Sequence, residues 1–385
     1  MVNPVYLDCN ATTPVDERVQ EAMAPFWRRR FANPSSVHKA GREARAALEL
    51  AREQVAALVG AHPSQVIFTS GGTEANNLAL FGTAGLRRAG RVLVSAVEHP
   101  SVLEPAAALA RRGGECGRVP VDPEGRVTLS ALEQAWNGGV GLVSVMWANN
   151  ETGVIQDVTT LAARVRGRGA LFHTDAVQAA GKLALDFPAS GVHLMSLSSH
   201  KIYGPKGAGA LIVDRALELE PLLYGGGQEQ GRRSGTENVA AIVGFGAAAA
   251  LAAGELDRRR RHVRRLREQL ERTLSERLPQ VVIFGSQAPR LPNTTMLALP
   301  GVDGETLLMH LDEAGFAVAS GSACASADPA PSHVLRAMGV EESLARGAIR
   351  VSLGQQHGAE DVEALVAALV RVRRVLGALA AENWQ

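Results

Sequence analysis

The sequence is poor in the features that mark secreted, membrane-spanning or nucleic-acid-binding proteins. It has three cysteines in 385 residues. So sparse and odd a set builds no disulfide framework and suits a reducing compartment. Charge of either sign is not in excess: 40 basic and 39 acidic side chains leave a net +1. That balance gives no electrostatic argument for nucleic acid or for an anionic membrane as a partner. The opening, MVNPVYLDCNATTP, has neither a basic stretch nor an apolar one, so no signal peptide is expected. The longest uncharged apolar run, VAAIVGFGAAAALAAG at 239–254, falls short of the ~20 residues of a membrane span. Its alanine content predicts a buried helix instead, and a cytoplasmic location is the expectation. Internal repeats and low-complexity tracts are absent as well.

What is present is alternation. QVIFTS (65–70), RVLVSAV (91–97), GLVSVMWA (141–148), ALFHTDA (170–176), HLMSLSS (193–199) and GALIV (209–213) read as strands. Ala/Leu/Arg stretches of helical period separate several of them, at 75–89, 101–112 and 159–168. Such a pattern predicts an α/β fold with a mostly parallel sheet and helices on both faces. Ligands in such sheets bind beyond the carboxyl ends of the strands. Near residue 255 the character changes to ELDRRRRHVRRLREQLERTLSER, with nine Arg against five acidic residues. A partner-binding face is one reading of it; a solvated amphipathic helix laced with i,i+4 ion pairs is the reading favoured here. QVVIFG, NTTMLALP, FAVASGSAC and GAIRVSLG then alternate with helices, which predicts a smaller α+β unit.

Five strand ends carry residues with chemistry. In SLSSHKIYGPKG, Lys201 follows a strand, where burial can lower its pKa for Schiff-base chemistry; a solvated loop lysine is the alternative. In HTDAVQ, Asp175 can hold a pyridinium nitrogen protonated or cap a helix, with Gln178 three residues on. TSGGTEANN joins a strand to a helix through Gly71-Gly72-Thr73, a phosphate cradle by its free N–H groups. His99, in AVEHPSVL, can stack on a flat cofactor, move protons or cap the helix that follows. Asn149 and Asn150, in WANNETG, add neutral amides. One lysine, one acid, one phosphate-type turn, one histidine and one amide pair together point to pyridoxal phosphate. No metal is called for. Cys324 lies apart, in SGSACASADPAPSH (320–333), a loop of small flexible residues rather than a core segment.

These motifs, with YLDCNATTPVD, NPSSVHKAG, RSGTENV and IRVSLG, make the chain similar over essentially its whole length to the NifS/IscS-type cysteine desulfurases. Those belong to the class V aminotransferase-like, fold-type I pyridoxal-phosphate enzymes. The resemblance implies a large cofactor domain (16–255) with a seven-stranded-type sheet, and a small C-terminal domain (256–385) carrying the Cys324 loop. Residues 1–15 would pack with the small domain. It implies Lys201 as the Schiff-base lysine, His99 stacked on the pyridine ring, Asp175 on the ring nitrogen and Gln178 on the phenolic oxygen. Asn150 would contact the cofactor and substrate. Gly72, Thr73, Ser198 and His200 would surround the phosphate. Thr236 would reach the phosphate of a second subunit, which implies a homodimer. Arg350 would grip the substrate carboxylate with its guanidinium fork, and Cys324 would become a persulfide. L-cysteine would lose its sulfur to Cys324 and leave as alanine, with Lys201 or His99 moving the α-proton. The acceptor would be a protein such as an iron–sulfur scaffold, or one in a thiolation pathway. A selenocysteine lyase and a class V aminotransferase are the alternatives on the same fold. Cys9 reads as a packing residue and Cys116 as incidental; His333 stands where a tyrosine is familiar.

Overall fold

The computed structural model describes residues 4–84, 90–320 and 331–382. After a two-residue strand β1 (Val5–Tyr6) the chain builds one large sheet. Its strands are β2 (Val66–Thr69), β3 (Arg91–Ser95), β4 (Cys116–Val119), β5 (Val140–Ser144), β6 (Leu171–Asp175), β7 (Leu194–Ser198) and β8 (Gly209–Val213). Their spatial order is β2-β8-β7-β6-β5-β3-β4. The five neighbours from β7 to β4 pair in parallel, and β8 runs antiparallel to both β7 and β2. So β2, β3, β5, β6 and β7 all end on one edge. The interior strands are near-continuous apolar runs because helices cover both faces, with separate core clusters on the two sides. The fold is the expected α/β class, with a seven-stranded sheet. Strand β4, Cys-Gly-Arg-Val, was not legible in the sequence: it is a half-buried edge strand whose small and charged residues carry little strand signal. In it, Cys116 Sγ donates to the Ala106 carbonyl at 3.0 Å.

The alanine-rich run forms the helix Val239–Gly254, buried as expected, and packs against the helix Lys39–Leu58. Close approach is the reason for one of its glycines: a Cβ on Gly246 would lie 2.6 Å from Ala51 Cα. The chain then bends by 73° into the helix Leu256–Arg277. This is the amphipathic helix expected from its sequence: Val263, Leu266, Leu270 and Leu274 face inward at helical spacing while most arginines stay outside. Arg259 is the exception, buried with Glu255 at 2.8 Å. Beyond lie β9 (Val282–Ile283), β10 (Thr294–Ala298), β11 (Phe316–Ala317), β12 (Ala319–Ser320) and β13 (Ala348–Ser352). Strands β12-β13-β10-β9 form an antiparallel sheet with a leucine-rich core of its own, shared with the helix Ala359–Glu382. Strand β1 pairs in parallel with β11, Val5 opposite Phe316, and a parallel bridge from Asp8 to Ser352 of β13 brings the first residues of the chain to this second sheet. Among the described residues no single helix is long and apolar enough to cross a membrane.

Candidate active site

A cavity of about 350 Å³ opens at the common edge where the parallel strands end. Ten of the twelve residues singled out from the sequence line it. Lys201 enters from the turn after β7, and its Nζ donates to the carbonyls of Asn10 and Ala11, both at 2.6 Å. Ser198 and His200 flank it on the same turn, and His200 Nδ1 meets Thr12 Oγ1 at 3.1 Å. Burial pushes the His200 imidazole down to about 4, with the Lys201, Lys206 and Lys182 charges adding to it. The backbone past this turn is strained, with φ +70° at Tyr203.

Asp175 ends β6 and is 6% exposed. Its Oδ1 accepts from the Val177 N–H at 3.0 Å, and its Oδ2 from Asn76 Nδ2 at 2.7 Å. Gln178 follows: its Nε2 donates to the Asn10 carbonyl at 2.9 Å, while Lys182 Nζ donates to its Oε1 at 2.8 Å. Burial, then the charge of Lys201, pushes the Lys182 ammonium down to about 7. His99, after β3, both faces the cavity and caps the helix Pro100–Arg111, its Nδ1 accepting from the Ser101 N–H at 3.1 Å. Its pKa lies below the ordinary value because it is buried; Asp175 opposes that shift, and Lys201 and His333 add to it. Beneath it Glu98 is fully buried, its Oε1 accepting from Ser95 Oγ and the Met146 N–H, each at 2.6 Å. Burial pushes this carboxyl up to about 8, so it is neutral at pH 7.

The opposite wall comes from the second sheet. Arg350, in β13, reaches the cavity, its Nη1 donating to the Asn150 carbonyl at 3.0 Å and its Nη2 to Asp8 Oδ1 at 2.5 Å. Asn10 completes the wall through Thr294 Oγ1 at 2.9 Å, Asn293 Nδ2 at 3.1 Å and Ser352 Oγ at 2.9 Å. Asn76, Ser101, Lys182, Asp8 and Asn10 were missed from the sequence. Asn76, Ser101, Asp8 and Asn10 sit within the quoted motifs TSGGTEANN, AVEHPSVL and YLDCNATTPVD without having been singled out; Lys182 lies four residues beyond HTDAVQ. Thr236 is exposed and lies off this cavity. Cys324 lies outside the described residues. Cys9 is buried, with Gln356 Nε2 3.5 Å from its Sγ, and burial pushes its thiol up to about 11. His333 Nε2 donates to the Glu98 carbonyl at 2.9 Å.

The donors present fit a phosphate-bearing pyridine cofactor. The helix Gly72–Ala84 starts at the cavity with its free N–H groups, a natural anion seat. A Cβ on Gly72 would lie 2.8 Å from Val177 Cγ2, so only glycine lets this turn close. Among the described residues the buried Ser198 Oγ, Asn76 Oδ1 and Arg350 Nε have no hydrogen-bond partner. Buried polar atoms left so are costly in a finished core and expected in a ligand site.

The aminotransferase class-V family model matches residues 5–365. A cysteine desulfurase of Sinorhizobium fredii is 46% identical over 381 residues, 98% of this chain and 97% of that protein. The chain belongs to the class-V aminotransferase family, among its cysteine desulfurases. A solved structure of a NifS-like protein superposes with a TM-score of 0.90 at 38% identity, covering 97% of this chain and 99% of the other. SspA, solved in complex with cysteine, gives 0.79 at 32% identity over 91% of this chain and 99% of its own. Class-V aminotransferases are pyridoxal-phosphate enzymes as a family, and the cavity lies where the sheet of such an enzyme gathers its strand ends.

Proposed function

We propose that this protein converts L-cysteine to L-alanine and receives the sulfur on Cys324 as a persulfide. The observation that carries this reading is the convergence of Lys201, Asp175, His99 and Arg350 on one cavity. Lys201 would hold pyridoxal phosphate covalently, Asp175 would pair with its ring nitrogen, His99 would stack on the ring, and Gln178 would meet its phenolic oxygen. Gly72, Thr73, Ser198 and His200 would take the phosphate, joined by Thr236 from a second subunit in a homodimer. When bound, the cofactor supplies a sink for the electrons of a broken Cα–H bond.

Arg350 is suited to the substrate carboxylate because its planar fork can bind two oxygens at once. The Asn150 carbonyl and Asp8 hold that fork on the cavity wall. Lys201 Nζ and the His99 imidazole are the two bases that line the cavity. The Cys324 thiolate would attack the substrate sulfur: an S–S bond forms as the Cβ–S bond breaks, so L-cysteine and a protein thiol become L-alanine and a persulfide. The sulfur would pass to an acceptor protein of iron–sulfur assembly or thiolation in the cytoplasm. The domain division 1–15, 16–255 and 256–385 belongs to the same reading, with the site at the seam between the large sheet and the second one.

The test is direct. Purified protein given pyridoxal phosphate should turn yellow and release alanine and sulfide from L-cysteine under reducing conditions. Lys201→Ala should be colourless and inactive; Cys324→Ala should bind the cofactor but release no sulfide. Turnover of L-cysteine by Cys324→Ala at the wild-type rate would remove the persulfide role. Alanine from selenocysteine alone would make the protein a selenocysteine lyase instead.

A further inference from the structure

Sequence leaves two bases for the α-proton, Lys201 and His99, and the hydrogen bonds behind His99 choose between them. The chain of contacts starts at Asp175, whose carboxylate can only accept. The Asn76 atom 2.7 Å from Asp175 Oδ2 is therefore its Nδ2, and the other hydrogen of the same group points to Ser101 Oγ at 2.8 Å. Ser101 Oγ receives that hydrogen and must spend its own elsewhere. It lies 2.7 Å from His99 Nδ1. The same Nδ1 accepts from the Ser101 backbone N–H at 3.1 Å. Both contacts require an unprotonated Nδ1, so the single proton of neutral His99 sits on Nε2. Asn76 and Ser101 are themselves buried, at 1% and 8% exposure, so water does not compete for these directions.

We propose that Asn76 and Ser101 are positioning residues that hold His99 as its Nε2–H tautomer and close Nδ1 to protons. His99 then serves the reaction as a hydrogen-bond donor through Nε2, and the α-proton goes to Lys201 Nζ. To take that proton, His99 would have to break two contacts at Nδ1. The charged and titratable groups facing His99 act on the same equilibrium. Asp175 at the end of β6 favours an imidazolium, while Lys201 and His333 oppose it. Glu98, on the same loop as His99, is neutral below its own raised pKa and adds little charge at pH 7. The inference about the reaction rests on the reading given above; the tautomer itself does not.

The experiment uses full-length protein carrying ¹⁵N-labelled histidine, with His99 assigned from the signals that vanish in His99→Gln. Long-range ¹H–¹⁵N spectra should show the Nε2–H tautomer, with protonation only below the ordinary histidine range. Ser101→Ala keeps only the backbone contact, so the His99 titration should move up toward the ordinary histidine range, with protonation about tenfold easier. Ser101→Thr, which keeps the hydroxyl, should behave as wild type. In the alanine variant the pH profile of kcat should gain an ionisation that wild type and the threonine variant lack. An Nδ1–H tautomer in wild type, or titration unchanged by Ser101→Ala, overturns the proposal. A protein without activity on L-cysteine but with an Nε2–H His99 would instead reject the proposed reaction and leave the positioning role standing.

Discussion

The floor and the wall of the cavity are built in different ways. The floor residues Gly72, His99, Asp175, Ser198 and Lys201 stand at four strand ends of one sheet, Ser198 and Lys201 sharing that of β7. Their positions follow from strand pairing, parallel from β3 to β7 and through the antiparallel β8 for β2, whose backbone hydrogen bonds fix the strands relative to one another. The wall joins the first and last parts of the chain. Asp8 holds Arg350, and Asn10 binds Asn293, Thr294 and Ser352 through its side chain and backbone. These segments are joined by side-chain hydrogen bonds, by the short β1–β11 pair and by the backbone bonds of Leu7 and Cys9 to Ser352. Under the proposed function the floor would carry the chemistry and the wall the substrate grip. Floor variants should therefore lose kcat with the fold intact, and wall variants should raise KM.

The largest effect should come from Lys201→Ala, which should cut turnover of L-cysteine on the order of 10³-fold or more with an unchanged melting temperature. Retained turnover would break the distinction at its centre. Asp175→Asn should follow, with kcat falling about 100-fold and KM nearly constant, because the acid proposed to charge the ring nitrogen is gone while Arg350 is untouched. Steady-state kinetics at saturating cofactor separate the two parameters.

Glu98 gives a floor effect on stability rather than rate. Its folded-state pKa of about 8 exceeds the ordinary 4.5. The folded protein therefore holds a proton that the unfolded chain has released. Its contribution is complete below about pH 4.5 and is lost as pH rises toward about 8. Between pH 5 and pH 7 this group should lower unfolding free energy by roughly 2–3 kcal/mol. Glu98→Gln keeps an oxygen for Ser95 and Met146 and removes the charge. Urea unfolding across that range should show a flatter slope and a more stable variant at pH 7; an unchanged slope would mean the carboxyl is ionised throughout.

The smallest effect is expected at the wall. Asp8→Asn leaves Arg350 with a neutral neighbour and should raise KM for L-cysteine about fivefold, or ~1 kcal/mol, with little change in kcat. A loss in kcat instead would place the wall in the chemistry.

Six strands of the large sheet, its buried alanine helix and the amphipathic arginine helix were all legible, because each is a local periodic pattern long enough to read. Seven cavity residues were legible because strand ends are where polar groups interrupt such patterns; Ser198, His200 and Arg350 came from the family resemblance, and Arg350 stands in the middle of β13. Strand β4 was not, being short and half-exposed at an edge. The reversed direction of β8 left no trace either, since a buried strand reads alike in both directions. Asn76 and Ser101 sit on helices in positions that local sequence reads as ordinary polar residues. What the sequence alone determined was the set of chemical groups and the loops that bear them. Tertiary structure decided which polar atoms meet: the carboxylate of residue 8 on the guanidinium of residue 350, and Asp175 reaching His99 through Asn76 and Ser101. Hydrogen-bond direction depends on distances between segments far apart in the chain, and no local pattern encodes them.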